Sequence, residues 1–211
     1  MPEWKSREKL IRQEWDDLDL TSNASYAIPF DPIDIQFLIT TIAKKKPTTV
    51  LEFGSGFSTI AIAKALQTFC PASHLWSVES NPDWLTHTQD LIKNNQELSE
   101  YITLFPTTVS ICQIDNQVAH ICDSLPNIVP ELIYLDGPFG LDVCNNIRGI
   151  SFSHLATNEP DNSINVKAER GHRRKEVSAD ILLYESTLRN QCTIIVDGRD
   201  CNSMFLKNNL K

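Results

Sequence analysis

The stretch "VLEFGSGFSTIAIAKAL", Val50 to Leu66, decides the reading of this sequence. Apolar residues around a single acid, Glu52, run straight into Gly54-Ser55-Gly56. From Ser58 to Phe69 the apolar spacing turns helical. The first half, "TTVLEFG", reads as a short buried strand, so this is a strand, a glycine turn and a helix. Two glycines at the mouth of a helix cost backbone entropy on folding. Their presence predicts that something comes very close to that backbone.

The same alternation continues along the chain. "HLWSVES" is a second strand, and "NPDWLTHTQDLIKNN" a second helix with Asn81 as its cap and Pro82 in its first turn. "YITLFPTTVSICQI" is extended and broken at Pro106. "ELIYLDGP" is another strand, residues 179–188 another helix, and "CTIIVDGRD" a last clear strand. "NSMFLKNNLK" opens a further helix. Upstream, Asp31-Pro32 starts a helix that is expected to turn Ile33, Phe37, Leu38 and Ile42 inward. Lys44 to Lys46 sit at its C-terminal end, where the helix dipole favours cations, and Pro47 stops it. Strands alternating with helices predict an α/β fold, a doubly wound, mostly parallel sheet with helices on both faces.

Two regions stand apart. Residues 1–31 read as an N-terminal helix and loop, with Trp4, Ile11, Trp15 and Leu18 on one helical face. The α/β domain then spans 32–211 and contains a long polar loop at 149–178, whose end gathers Arg170, His172, Arg173, Arg174 and Lys175. Such a loop is a lid over an anionic substrate or a solvated segment.

The chain has 211 residues, 41% hydrophobic and 22% charged, enough for one domain with a real core. A net charge of −8 argues against general nucleic-acid binding, which needs a basic surface. No apolar run reaches the roughly 18 residues of a membrane span. "MPEWKSREKLIRQEW" has no apolar core of a signal peptide. Six cysteines without a C-x-x-C pair predict reduced thiols and a cytoplasmic protein. A homodimer is a candidate assembly, since an open sheet edge invites pairing.

In a doubly wound sheet, ligands bind beyond the carboxyl ends of the strands. Gly54 and Gly56 fall there, Glu52 lies two residues before Gly54, and Glu79 ends the second strand. A carboxylate at Glu52 suits a cationic amino group and would repel a pyrophosphate. An acid at Glu79 suits the hydroxyls of a ribose. The dinucleotide pattern G-x-G-x-x-G fails, because Thr59 holds its last position. The competing readings are a helix cap for Glu52 and a solvated strand end for Glu79.

"VLEFGSGFST" with "WSVES" and "LIYLDGP" resembles the class I S-adenosylmethionine-dependent methyltransferase superfamily, over roughly residues 32 to 205. That resemblance implies a Rossmann-like seven-stranded sheet with S-adenosylmethionine at the glycine turn. It implies that Glu52, Gly54, Ser55 and Gly56 line the methionine and ribose side, that Glu79 binds the ribose hydroxyls, and that Ser80 lies beside the adenine edge. Ser58 stands where the family often has glycine, and a serine there can cap the helix. The family pattern closes with two antiparallel strands after the fifth-strand helix. The sequence reaches only into that helix, so the expectation is either a sheet with fewer strands or a truncated sequence.

Asp136 and Asp197 end parallel strands and should emerge beside the glycine turn. Either could position an acceptor or take its proton, so both are the candidate catalytic residues. Similarity to the catechol-type O-methyltransferases raises a metal, but their Asp-Asn pair is here Asp197-Gly198, and no metal is expected. Pro138 and Arg199 are candidates for the acceptor side. The implied function is methyl transfer to oxygen or nitrogen of a small molecule. An NAD-type oxidoreductase and a non-catalytic binding module on the same fold are the alternatives.

Overall fold

A computed structural model describes residues 32–114, 117–138, 142–147, 177–197 and 200–210. The helix expected within 1–31, nearly all of the polar loop, its basic cluster, and Arg199 lie outside the described residues.

Helix α1, Pro32–Lys45, leads into strand β1, Thr49–Phe53. Helix α2 is Phe57–Phe69, strand β2 His74–Glu79 and helix α3 Pro82–Asn94. A 3₁₀ turn at Gln96–Tyr101 then feeds strand β3, Ile102–Pro106. Strands β4, Val109–Ile114, and β5, Gln117–Cys122, form a separate antiparallel pair. Strand β6 is Leu132–Leu135, helix α4 Asp180–Leu183, strand β7 Thr193–Val196 and helix α5 Asp200–Asn209.

The main sheet has the order β3-β2-β1-β6-β7, with every neighbouring pair parallel. The chain winds outward one way from β1 through β2 to β3, then returns to β1's other side at β6. That reversal puts the topological switch point at the carboxyl ends of β1 and β6. The described sheet has five strands, with β7 at its edge.

Strand alternation sorts the core into two layers. Val50, Leu75, Leu132 and Tyr134 face α1 and α2. Leu51, Phe53, Ile133 and Leu135 face the other way, onto the β4–β5 hairpin and α5. The hairpin thus covers a face where a helix was expected. β5 escaped the sequence reading, and Pro106 is the end of β3 rather than a break within one strand.

Two expectations need correction. In α1 the inward face is Ile35, Leu38, Ile39 and Ile42, while Ile33 and Phe37 are 71% and 60% exposed. The helix foreseen at 179–188 has only one α-helical turn. Its first residue, Asp180, is held down: the Cys122 amide donates to Oδ1 at 2.6 Å and the Ser178 hydroxyl to Oδ2 at 2.7 Å. Val177 and Ser178, counted with the polar loop by sequence, are fully buried.

Candidate ligand site at the sheet edge

The glycine turn shows what demands its bare backbone. Gly54 has φ +88°, in the left-handed region, and its amide donates to the Val78 carbonyl at 2.9 Å. A Cβ added there would lie 2.8 Å from the Gly137 nitrogen and 2.9 Å from its Cα. The converse holds, since a Cβ on Gly137 would lie 2.5 Å from the Gly54 Cα. The molecule that approaches Gly54 is therefore this chain's own backbone, where the loop after β6 crosses the end of β1. Gly56 differs. Its φ of +155° favours glycine, but a Cβ there would meet nothing within 4 Å. Open space faces Gly56.

Glu52 is fully buried under the start of α2. Its Oε1 accepts from Ser58 Oγ at 2.5 Å, and its Oε2 accepts from Thr59 Oγ1 and Ser77 Oγ, both at 2.6 Å. Burial pushes its carboxyl up to about 7, and Asp136 adds to that, while the three hydroxyl donors pull it back. The carboxylate and the Ser58 hydroxyl are thus engaged with one another beneath the turn. The helix-anchoring alternative describes this arrangement, through side-chain hydroxyls rather than backbone N–H groups.

Glu79 does face the candidate site. A small hollow lies against Gly54, Glu79, Ser80 and Pro138, with Phe53, Val78, Thr107 and Cys122 completing its lining. Glu79 Oε2 accepts from the Ser55 amide at 2.7 Å and the Ser55 hydroxyl at 3.0 Å. Its Oε1 accepts from the amides of Ser80, 2.9 Å, and Asn81, 2.8 Å. The Ser80 hydroxyl is buried and has no hydrogen-bond partner among the described residues. Asn81 caps α3 through Oδ1, and its Nδ2 reaches Asp142 at 3.0 Å.

The two candidate catalytic aspartates share the same edge. Asp136 and Asp197 directly follow the paired Leu135 and Val196. Asp136 is exposed and Asp197 half-buried. The Tyr134 hydroxyl donates to Asp197 Oδ2 at 3.0 Å. Burial first, then Asp136 and Asp197, push the Tyr134 phenol far upward, so it stays a donor. Among the described residues no group of three or more His, Cys, Asp or Glu could hold a metal ion.

Of the expected site residues, the structure brings Gly54, Glu79, Ser80 and Pro138 to the hollow. Ser55 reaches it through Glu79, Gly56 stands beside open space, and Glu52 and Ser58 lie beneath. Thr107 and Cys122 were missed by sequence. Thr107 directly follows β3, a position that strand-end reasoning would have flagged. Cys122 ends the unforeseen β5. Its thiol is pushed far up by burial and then by Asp180, so it is no nucleophile.

Strand order, switch point and glycine turn decide the architecture. The fold is Rossmann-like. No protein-family model matches the sequence, and no curated protein matches it either. Solved structures that it resembles include methyltransferases. A precorrin-6y methyltransferase from Geobacter metallireducens is 13% identical, over 82% of this chain and 71% of that one, with a TM-score of 0.44. The O-methyltransferase from Bacillus cereus, in complex with SAH, is 16% identical over 62% and 54%, TM-score 0.39. TomG from Streptomyces achromogenes, an O-methyltransferase of tomaymycin synthesis in complex with SAM, is 14% identical over 65% and 54%, TM-score 0.37. The match thus spans only about half of those two chains. At these identities and TM-scores the likenesses carry no argument of their own, and the Rossmann-like assignment rests on the strand order.

Proposed function

We propose that this chain binds S-adenosylmethionine at the β1–β2 edge and transfers its methyl group to a small-molecule oxygen or nitrogen. The observation that carries the reading is a hollow joining the Glu79 carboxylate, the Ser80 hydroxyl and the Gly54 backbone, with open space at Gly56 two residues further on. A carboxylate accepts from a diol, a free hydroxyl meets a base edge, and the side-chain-free face of Gly56 gives room for a ligand's backbone contact. The hollow is far smaller than the roughly 300–1,000 Å³ of pockets that enclose drug-sized ligands. A nucleoside would lie across it, partly exposed.

The donor, when bound, supplies a methyl group on a sulfonium leaving group. The protein's task is then alignment of the acceptor and removal of its proton where needed. Asp136 and Asp197 are the groups assigned to that task, at the edge adjoining the hollow. Tyr134 holds Asp197 in place by its hydrogen bond. Glu52 acts indirectly, as a positioning residue: it ties α2 to β2 and so fixes the turn above it.

A dinucleotide fits poorly. The Ser55 and Gly56 amides, which could otherwise reach a pyrophosphate, already donate to Glu79 and to Thr59 Oγ1. A phosphate there would also meet Glu79 at close range. The test of the reaction is incubation with methyl-labelled donor and a panel of phenols, carboxylates and amines. Label transferred to an acceptor supports the proposal. No transfer to any of them, with donor bound, would leave a binding module and overturn the catalytic part.

A further inference from the structure

Glu79 has room for about four hydrogen bonds as a carboxylate, and all four are made within the chain. Three come from the amides of Ser55, Ser80 and Asn81, which are fixed by the turn and by the start of α3. The fourth comes from the Ser55 hydroxyl, which also meets Thr88 Oγ1 at 2.9 Å. Thr88 is fully buried, and since the Ser55 proton goes to Glu79, the single Thr88 hydroxyl proton serves either the Trp84 carbonyl or Ser55 Oγ. Only the Ser55 hydroxyl can leave, by turning about one side-chain bond.

We infer that Ser55 is an internal stand-in for a ligand hydroxyl: its side chain closes Glu79 against the hollow, and a diol must displace it to bind. This rests on the nucleoside reading above and adds a specificity-determining residue to it. The exchange is selective. A ligand hydroxyl that donates to Oε2 replaces the bond Ser55 gives up, so a ribose loses little. A ligand without a hydroxyl there gains nothing from moving Ser55 and leaves it in place. The Ser80 hydroxyl, buried and unpartnered among the described residues, stands ready on the same hollow. Ser55 thus competes with ribonucleosides and not with their deoxy counterparts, so it narrows the difference in affinity between the two.

The test is calorimetric titration of the full chain with S-adenosylhomocysteine, adenosine and dideoxyadenosine. Wild type, Ser55→Ala and Thr88→Val are compared, with thermal unfolding of each. Removing the competing hydroxyl should tighten S-adenosylhomocysteine and adenosine by about tenfold, the worth of one hydrogen bond to a charged group. Dideoxyadenosine affinity should not change. Thr88→Val removes the second anchor of Ser55 and should tighten the ribonucleosides by roughly threefold. It decides the matter if Ser55→Ala fails to fold. Binding by wild type with no gain in either variant, or an equal gain for dideoxyadenosine, overturns the role of Ser55 and leaves the nucleoside reading standing. No binding of S-adenosylhomocysteine or adenosine by any of the three proteins overturns both.

Discussion

Gly54 and Gly137 stand back to back: a side-chain carbon on Gly54 would sit 2.8 Å from the Gly137 nitrogen, and one on Gly137 would sit 2.5 Å from the Gly54 Cα. This contact joins the ends of β1 and β6 at the switch point. Gly54→Ala and Gly137→Ala should each destabilise the fold by about 2–4 kcal/mol, from steric clash and, at Gly54, a strained φ. Gly56→Ala meets no atom and should cost about 1–2 kcal/mol, from backbone strain alone. Urea unfolding of the three variants checks the order.

Glu52 makes the fold more stable in mild acid. Its carboxyl is raised from 4.5 to about 7, mainly by burial. The folded state therefore holds a proton that the unfolded state has released. Between those two values stability falls as pH rises, and above about 7 the loss levels off near 3 kcal/mol, at 1.36 kcal/mol per unit. Asp180, raised by burial, adds in the same direction, while His74, lowered by burial, opposes it. Glu52→Gln isolates the term, because the other groups cancel in the comparison. The variant should show a flatter decline in unfolding free energy from about pH 5 to pH 7.5. A decline as steep as wild type's would remove Glu52 from the account.

In the Ser55→Ala background, where no hydroxyl competes, Glu79→Ala should weaken S-adenosylhomocysteine binding by about tenfold, as a charged hydrogen-bond acceptor is lost. It should also lower stability, because the amides of Ser55, Ser80 and Asn81 lose their acceptor. Calorimetry and thermal unfolding, measured together, separate the two effects. Unchanged affinity in a folded variant would take Glu79 out of the site.

Asp136→Asn and Asp197→Asn should spare donor affinity and slow methyl transfer by about a hundredfold where the aspartate removes the acceptor proton. Tyr134→Phe, which frees Asp197, should slow transfer less than Asp197→Asn does. A pair of aspartate variants with full turnover would remove both from the chemistry.

Much of the architecture was legible because it is written in local signals. Asn81-Pro82 announces α3, and the apolar runs at β1 and β6 announce strands buried on both faces, while the equally apolar run at β7 is an edge strand buried only in part. What was not legible depends on contacts remote in sequence. Nothing near Gly54 says that Gly137, 83 residues away, presses on it. Glu52 reads identically as a ligand-facing acid and as an anchor; only the convergence of Ser58, Thr59 and Ser77 decides where its oxygens go. The α1 face was misread because Ile33 and Phe37 fit the period as well as Ile35 and Ile39 do, and only packing against α2 selects between them. The hairpin strand β5 alternates weakly, with His120 and Ala119 both buried, so its period gave no signal.

The most direct test of the nucleoside site is one calorimetric series on the unaltered protein, with S-adenosylmethionine, S-adenosylhomocysteine and NAD as titrants. Saturable one-to-one binding of the first two and no heat from NAD are the expected results. Saturable NAD binding with silence from both sulfur nucleosides would contradict the nucleoside site.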